Sequence, residues 1–554
     1  MLDRLRFVAV SLCLVTALGC GGGGGAKPGD ASVDGSKKND AFAGDASPAD
    51  SGSGDVAPVA DLSGGDDAVG DAAASEGGAN EAGCVSTATA DVPDDAFLDE
   101  NCDGVDGDAS KAIFVTTTGS DANAGTREAP MLTINAALAQ AVAQTKTALF
   151  VSEGTYNGRV TLTNGISIYG GYSATNGWAR AKTHTSRITS VAVTPDHVSA
   201  VEGVDITSLT TLDLLEIDTG DTAAPGVTSY AMYCRGCTGV TLKNSTLLAG
   251  AGGPGTPGAV GAPGMNGVAG AQGFGGSCDG GNGLGGTGGL LSCGGVDVSG
   301  GPVGAGGPET SNSPGVTGAM GQNGGGTGGP GGGCQVGGCD PGQSGGNGTP
   351  GAAVGAGANG PAGSGGMVIA NFWVGNAGMV GLPGPHGRGG GGGGGGGGQH
   401  GTFVDDGGGN GGGGGGSGSC GGDAGKGGGP GGGSFGLFLV SSTGFVLQGC
   451  TISGGKGGVG GTGGTGGIGG MPGGPGSGAN VCTAEVGAGG NGAAGSAGGA
   501  GGPGGGGAGG ASYGVYRVGT TVSLDGNLLM TGSPGNGGPS AGVAGATGPS
   551  ALSL

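Results

Sequence analysis

Residues 111–250 carry short apolar runs separated by turn residues. The β-branched run Ala112–Thr118 predicts a strand, and the short apolar run Ala148–Val151 predicts a buried strand. The dipeptide Asn164-Gly165 between two later runs predicts a tight turn. The pattern therefore indicates an all-β domain built from closely spaced short strands.

One segment of this region has helical periodicity instead. Thr133 is a residue type that caps helices, and the apolar residues after it recur at helical spacing. They are Ile134, Ala137, Leu138, Ala141 and Val142. We expect this helix to cover the open apolar end of a stack of strands, because the first strands have no neighbour on one side.

A sequence unit occurs three times, at Ser229–Gly250, Ser434–Gly455 and Ser512–Gly532. Each copy begins with Ser, an aromatic residue, a small residue, an aliphatic residue and a second aromatic residue, and each runs into glycine-dominated sequence. We interpret the unit as one partial coil of a β-solenoid and the glycine tracts as insertions between coils. The run near 366–376 aligns with part of the second copy, which predicts a further return to the solenoid there.

A series of short motifs runs through the first part of 111–250. They are Val115, Gly119-Ser120-Asp121, Gly125-Thr126, Pro130, Thr133-Ile134, Val151 and Gly154-Thr155-Tyr156. Their order resembles the start of right-handed parallel β-helix proteins of the pectin-lyase-like superfamily. The ending Tyr169-Gly170-Gly171-Tyr172 with Trp178-Ala179-Arg180 resembles a glycine-rich bacterial branch of that group with no assigned activity. The resemblance implies a right-handed parallel β-helix with an N-terminal capping helix.

Glycine makes up 161 of the 554 residues, so an ordinary globular core cannot occupy the whole chain. Glycine stands at every third position in Gly252–Gly276, and Gly389–Gly398 is unbroken. A collagen trimer is disfavoured because proline is scarce, and a disordered loop is the usual fate of such tracts. We expect instead a polyglycine II bundle, in which extended threefold segments hydrogen-bond sideways and glycine is needed wherever backbones approach closely. The insertions in 251–554 are nearly uncharged and are interrupted by solenoid strands, which favours this ordered alternative.

The amino terminus has the features of an export signal. Two arginines precede the apolar run Phe7–Leu18, which is too short to span a bilayer. Ala17-Leu18-Gly19-Cys20 resembles the lipobox of bacterial lipoproteins, although Leu stands later than the family pattern prefers. We expect a signal peptide at 1–19 and lipidation of Cys20, which would anchor the chain to a membrane. The alternative is an ordinary cleaved signal.

Residues 20–83 consist mainly of Gly, Ala, Ser, Asp and Pro with hardly an aliphatic cluster. Such a segment cannot bury enough apolar surface to offset its conformational entropy. We expect a disordered acidic tether that holds the folded part away from the membrane.

The segment 84–110 is rich in aspartate and contains two cysteines. Its spacing of Asp, Asn and Asp at alternate positions, followed by Gly104, matches the first half of a calcium-binding loop. Ser110 stands where the loop would need a bidentate Glu, which excludes a complete EF-hand. The alternative is an acidic linker without a bound ion. The predicted Ca²⁺ ligands are Asp99, Asn101, Asp103, Asp106 and Asp108.

The chain contains 13 cysteines, and export favours disulfides. Sequence proximity suggests four pairs, although connectivity cannot be deduced from sequence. Cys234 and Cys237 also have CxxC spacing, but no ligand-like histidine accompanies them, which disfavours zinc or redox chemistry. The suggested pairs are Cys84–Cys102, Cys234–Cys237, Cys278–Cys293 and Cys334–Cys339, with Cys420, Cys450 and Cys482 unassigned.

The net charge of −22 argues against nucleic acid as a partner, because binding needs Lys and Arg to displace counterions. The four histidines stand in no metal-binding or catalytic spacing. Polysaccharide-cleaving β-helix enzymes use clustered charged residues on one face. A solvated face explains the acidic cluster here better, so no catalytic residue is predicted. The cluster comprises Asp213, Glu216, Asp218 and Asp221, with Arg235 and Lys243 as the nearest bases.

These features predict a structural or adhesive lipoprotein in the outer membrane, displayed on the surface of a bacterium. The expected partners are the membrane, through Cys20, and an extracellular polysaccharide or another cell surface. Gly21, rather than Asp, after Cys20 favours outer-membrane sorting, by analogy with other bacterial lipoproteins. The alternative is a carbohydrate-binding protein or a polysaccharide lyase or hydrolase on the same fold.

Overall fold

The computed structural model describes residues 84–193, 196–309, 313–333, 344–400 and 406–554. The predicted signal peptide, Cys20 and the predicted tether lie outside these residues. The regular elements of the described part are almost all strands, with a short 3₁₀ helix at Ala109–Lys111 and the α-helix α1 at Ile134–Ala143. The strands are β1 (Ala112–Val115), β2 (Ala148–Ser152), β3 (Gly154–Asn157), β4 (Val160–Thr161), β5 (Ser167–Ser173), β6 (Ala179–Arg180), β7 (Ser186–Thr189), β8 (His197–Val204), β9 (Thr210–Asp213), β10 (Leu215–Asp218), β11 (Thr228–Arg235), β12 (Val240–Lys243), β13 (Thr246–Leu248), β14 (Ser292–Cys293), β15 (Val296–Asp297), β16 (Gly366–Ile369), β17 (Phe372–Gly375), β18 (Ser434–Val440), β19 (Val446–Gln448), β20 (Thr451–Ser453), β21 (Ser512–Val518), β22 (Leu528–Met530) and β23 (Ser550–Ser553).

Three parallel sheets contain most of these strands. Sheet A runs β1-β2-β5-β9-β12-β19, with β6 antiparallel to β5. Sheet B runs β3-β7-β10-β13-β20-β22, and sheet C runs β4-β8-β11-β18-β21-β23. From β8 to β20 the chain visits sheets C, A and B in that order three times. We call each such visit a circuit, and the arrangement is consistent with a parallel β-helix.

The apolar core lies between the three sheets. Strands in register place like residues on top of one another, so each circuit buries the apolar side chains of the previous one. In sheet A, Leu212, Leu242 and Leu447 follow one another in register. In sheet B, Ile217, Leu247 and Ile452 do the same. These ladders explain why the apolar runs are short and recur at close spacing.

Helix α1 lies where the sequence predicts it. The hydroxyl of Thr133 accepts a hydrogen bond from the amide of Ala136 at 3.3 Å and so caps the helix. Ile134, Ala137, Leu138 and Ala141 are buried against the core. Val142, which the helical pattern assigns to the same face, is exposed. Its position beside Ala141 on the helix turns it away from the packed stripe.

The three sequence units begin at equivalent positions of sheet C. Ser229, Ser434 and Ser512 are in register on β11, β18 and β21. The hydroxyl of Ser434 donates to the carbonyl of Gly250 at 2.7 Å, and that of Ser512 donates to Gly455 at 2.7 Å. The two insertions 251–433 and 456–511 therefore each leave the sheets and return to them at one hydrogen-bonded corner.

The predicted return to the solenoid near 366–376 is wrong. β16 and β17 form an antiparallel hairpin that joins none of the three parallel sheets. Its turn residues Ala370 and Asn371 both have positive φ, 48° and 74°, as two-residue hairpin turns require. The hairpin packs Phe372 and Trp373 on the outer aromatic face of sheet C.

Candidate functional site: the glycine bundle and its surface

The residues predicted to bind calcium do not form one ligand set. The carboxylate of Asp106 pairs with Arg180 at 3.0 Å and is almost fully buried. Asp108 accepts from the amide of Ser110 at 2.9 Å and pairs with Lys111 at 3.0 Å. Asp106 and Asp108 are thus each held by a different basic residue.

The other three predicted ligands bond within their own loop. Asp99 accepts from the amides of Asp103 at 3.1 Å and Gly104 at 2.7 Å. The amide group of Asn101 donates to Asp103 at 3.0 Å. Asp103 itself accepts from the amides of Val105 and Ala109. Within the described residues, no group of three or more His, Cys, Asp or Glu is placed to hold a metal ion.

Arg180 is the centre of a buried charged cluster that joins the segment 84–110 to sheet A. Its guanidinium pairs with Asp106 at 3.0 Å and with Asp213 at 2.7 Å, and all three side chains are 1% exposed. It also lies over the rings of Tyr169 and Tyr172. Burial raises the pKa of Asp106 to about 6, against the opposing attraction of Arg180. Because solvent cannot reach these groups, their role is to hold the segment in place.

The acidic cluster predicted on one face is divided among different partners. Asp213 belongs to the buried cluster and also pairs with Lys243 at 3.3 Å. Glu216 and Asp218 both pair with Arg187, and a carboxylate oxygen of Asp221 accepts from the amide of Ala251. Arg235 pairs with Asp205 at 3.6 Å. The carboxylates thus act as structural partners of neighbouring residues.

The disulfides agree with sequence proximity only in part. Cys84 pairs with Cys102, and Cys234 pairs with Cys237. The suggested pair Cys278–Cys293 is wrong, because Cys278 bonds to Cys482 and Cys293 bonds to Cys420. These two bonds join residues 204 and 127 positions apart, which lie together because distant glycine segments run side by side. Cys450 is buried and unpaired, and Cys334 and Cys339 lie outside the described residues.

A shallow cavity of about 300 Å³ lies beside the start of α1. Its lining includes Thr117, Asn135, Thr155, Tyr156 and Asn157. The side chain of Asn135 bonds to the backbone of Arg159 and Thr161, and the hydroxyl of Tyr156 bonds to the backbone of Val115 and Ser152. The side chains of Asn135 and Tyr156 are therefore committed to the fold.

The glycine insertions run as extended segments that hydrogen-bond sideways. We name five of them by range: segment a (252–276), b (376–398), c (407–433), d (456–478) and e (487–511). Amides at every third residue of segment a donate to segment d, from Gly255 to Val459 at 2.7 Å through Gly273 to Ser477 at 2.9 Å. This period of three is the bonding that a polyglycine II bundle requires.

The first half of segment c, residues 407–420, occupies the interior of this glycine bundle. The amides of Gly411, Gly412 and Gly413 donate to three different segments, at Phe274, Gly304 and Gly490. Carbonyls of the same three residues accept from Ala479, Gly286 and Gly393. Residues 407–420 of the segment are all buried, which explains the unbroken glycine run 411–416. Asp423 and Lys426, farther along segment c, are exposed.

The exclusion of side chains from this interior is steric. A Cβ atom at Gly411 would lie 2.0 Å from the carbonyl oxygen of Leu284, and one at Gly413 would lie 2.1 Å from that of Gly476. Gly390 and Gly391 in segment b face backbone oxygens at 2.1 and 2.0 Å. Unbroken glycine runs in the sequence therefore mark segments surrounded on all sides, whereas G-x-x triplets mark segments with an open side.

The open sides of the bundle carry exposed apolar side chains. Val260, Phe274, Ile468 and Met471 are between 63% and 73% exposed. Segments a and d contain no charged residue except Lys456. A rigid, uncharged surface with regularly spaced apolar groups is the feature of this chain best suited to contacting a partner.

No helix in the described ranges is long and apolar enough to cross a membrane. Residues 117–255, about a quarter of the chain, match the model of a family described as a protein of unknown function (DUF1565). That family is usually associated with right-handed β-helix proteins. Neither a curated protein nor a solved structure matches the chain.

Proposed function

We propose that this chain is a structural or adhesive lipoprotein on the surface of a bacterial outer membrane. The three parallel sheets are a right-handed parallel β-helix capped by α1. This β-helix is the platform that carries the glycine bundle. Cys20 carries the lipid anchor, and residues 20–83 form the tether. Partners of the bundle are an extracellular polysaccharide or another cell surface.

One observation carries the proposal: an ordered bundle presents exposed apolar side chains on a nearly uncharged framework. Exposed Val260, Phe274 and Ile468 raise the free energy of the chain in water by leaving apolar area hydrated. Monomeric soluble proteins rarely expose large contiguous apolar surfaces without an interaction role. The hydrogen-bonded backbone beneath them supports a rigid display, so little conformational entropy is lost on contact.

The enzymatic alternative has less support. The acidic residues that a polysaccharide lyase or hydrolase would need are paired with Arg180, Arg187 or backbone amides. Nothing in the geometry of the described residues favours cleavage over adhesion.

The proposal is tested with a deletion strain complemented by the intact chain or by Cys20→Ser. We expect deletion to reduce cell–cell aggregation and attachment, and the intact chain to restore both. Cys20→Ser should be expressed but should fail to restore them, because the bundle is no longer held at the surface.

Two further measurements accompany this experiment. Mass spectrometry should find an acylated first residue at Cys20, and external protease should cleave the chain on intact cells. Unchanged adhesion in the deletion strain would refute the proposed function, and release of oligosaccharides by the purified chain would replace it with the enzymatic alternative.

A further inference from the structure

One face of the glycine bundle combines four properties that together indicate a specific occupant. It is formed by the outward residues of segments a and d, which run parallel and are joined at every third residue. We call it the a–d face. Its outward residues are Pro257, Val260 and Pro263 of segment a and Val459, Thr462, Thr465 and Ile468 of segment d, all exposed.

The a–d face is free of charge in a strongly acidic protein. Segment a contains no charged residue, and segment d contains only Lys456 at its start. Two copies of a chain with net charge −22 repel each other wherever their carboxylates approach. Contact across an uncharged face keeps those carboxylates apart, so this face permits self-association.

The spacing of the outward side chains on this face matches the spacing on a second copy of the same face. Outward side chains on one segment recur every third residue, about 9 Å apart at roughly 3.1 Å per residue. In segment d two glycines separate each outward side chain from the next, from Val459 to Met471. The gaps between Thr465 and Ile468, and their equivalents, can receive the side chains of an identical row.

The backbone of the face offers both donors and acceptors. In the described part of the chain, the amides of Val459, Thr462, Thr465 and Ile468 donate no hydrogen bond, and the carbonyls of Pro257, Val260 and Pro263 accept none. The next amide in the row, Met471, is satisfied by the side chain of Asn266 at 2.9 Å. A two-fold axis would place the donors of each copy opposite the acceptors of the other, so the face is complementary to itself.

The available area is that of a small interface with weak affinity. Residues 256–272 of segment a extend over about 50 Å. With two rows at a spacing close to that of strands, about 4.8 Å, the face is roughly 10 Å wide and presents about 500 Å² per copy. A dimer would therefore bury about 1,000 Å² in total, which is the lower end of the range for specific interfaces.

We propose that the a–d face is a homotypic docking surface, which binds the same face of a second copy about a two-fold axis. Docking needs neither the lipid anchor nor a position on the cell surface. Failure of this proposal would therefore not refute the proposed adhesive function, and failure of the adhesive function would not refute this proposal.

The test is sedimentation velocity on the full chain carrying Cys20→Ser, so that no acyl chain drives association. The concentration series extends to about 100 µM, which covers the affinities of most specific interfaces. We expect a reversible monomer–dimer equilibrium. Thr465→Glu with Ile468→Glu should raise the Kd roughly 100-fold or more, because the two-fold axis brings like charges together.

The matched control is Met379→Glu with Leu382→Glu in segment b, at side chains that are 60% and 59% exposed. It adds the same charge to another face and should change the Kd less than about threefold, since surface substitutions away from the contact are nearly neutral. Thermal unfolding checks that both variants are folded, and Ile468→Ser repeats the test without a charge. A parent chain that stays monomeric, or equal weakening by both pairs, would overturn the proposal.

Discussion

Single glycines in segment c determine whether the neighbouring segments can pack closely around it. Gly413 donates to Gly490, and its Cβ position lies 2.1 Å from the carbonyl oxygen of Gly476. A backbone oxygen cannot swing aside as a flexible side chain can. The requirement for glycine is therefore local and specific to the number of neighbouring segments.

Gly413→Ala is expected to destabilise the chain by about 3 kcal/mol, because the new methyl group must displace a neighbouring backbone. The control is Gly474→Ala in segment d, where a Cβ would meet nothing within 4 Å. That substitution should leave stability unchanged or raise it by up to about 1 kcal/mol through the unfolded state. Equilibrium urea unfolding measures both, and equal losses would contradict the packing shown here.

Asp106 makes stability depend on pH with a definite sign. Burial raises its folded pKa to about 6 from an ordinary value of 3.8, so the folded chain holds this proton more tightly than the unfolded chain does. The stabilisation is fully present below about pH 4 and is lost as the pH rises through 6. This pH dependence is the contribution of Asp106 only. The pH dependence of the whole chain's stability is the sum of this contribution and those of the other carboxylates.

Asp106→Asn removes this titration while keeping the shape of the side chain. Between pH 7 and pH 4 the wild type should gain up to about 3 kcal/mol relative to the variant, at 1.36 kcal/mol per pKa unit. Denaturant unfolding of both chains across this range measures the difference. A difference that is constant with pH, or that grows towards neutral pH, would show that Asp106 stays ionised beside Arg180.

At the scale of elements, the β16–β17 hairpin covers a stacked aromatic face. Tyr233, Phe438 and Tyr516 follow one another in register on sheet C, and the ring of Phe372 stacks on Tyr233 at 4.8 Å. Trp373 lies against Phe435 and is 6% exposed. The two aromatic residues stand three positions apart in each of the three units, and this shared spacing builds an outer aromatic face in addition to the aliphatic core.

Trp373→Ala should cost about 3 kcal/mol, because it removes a large buried side chain and leaves a cavity against Phe435. Val374, which pairs with Met367 across the hairpin and is 41% exposed, provides the control as Val374→Ala. We expect the control to cost less than about 1 kcal/mol. Urea unfolding monitored by circular dichroism measures both, and similar losses would indicate that the hairpin is not docked.

At the scale of the whole molecule, two disulfides connect glycine segments that are distant in sequence. Proteolysis without reduction, followed by mass spectrometry, should recover peptides joining Cys278 to Cys482 and Cys293 to Cys420. Replacing Cys278 and Cys482 by Ser should lower the free energy of unfolding by about 5 kcal/mol, because the bond closes a long loop. A peptide joining Cys278 to Cys293 would contradict this arrangement of segments.

Much of the architecture follows from local sequence. The β-branched runs predict the strands, Thr133 predicts the start of α1, and the glycine period predicts sideways hydrogen bonds; each signal depends on neighbours within one turn or one triplet. The three sequence units likewise predict where the chain leaves and re-enters the sheets, since Ser434 and Gly250 are bonded at that corner.

Tertiary structure alone decided the features that join distant residues. The hairpin at 366–375 has the apolar content of a solenoid strand, and only the positive φ of Ala370 and Asn371 turns it back on itself. Asp106 moves from a predicted calcium loop to Arg180 because burial requires a charged partner. Cys278 meets Cys482 because parallel glycine segments bring their far ends together. The glycine periodicity of a segment predicts which of its sides packs against neighbouring backbones. It does not predict which segment supplies those backbones.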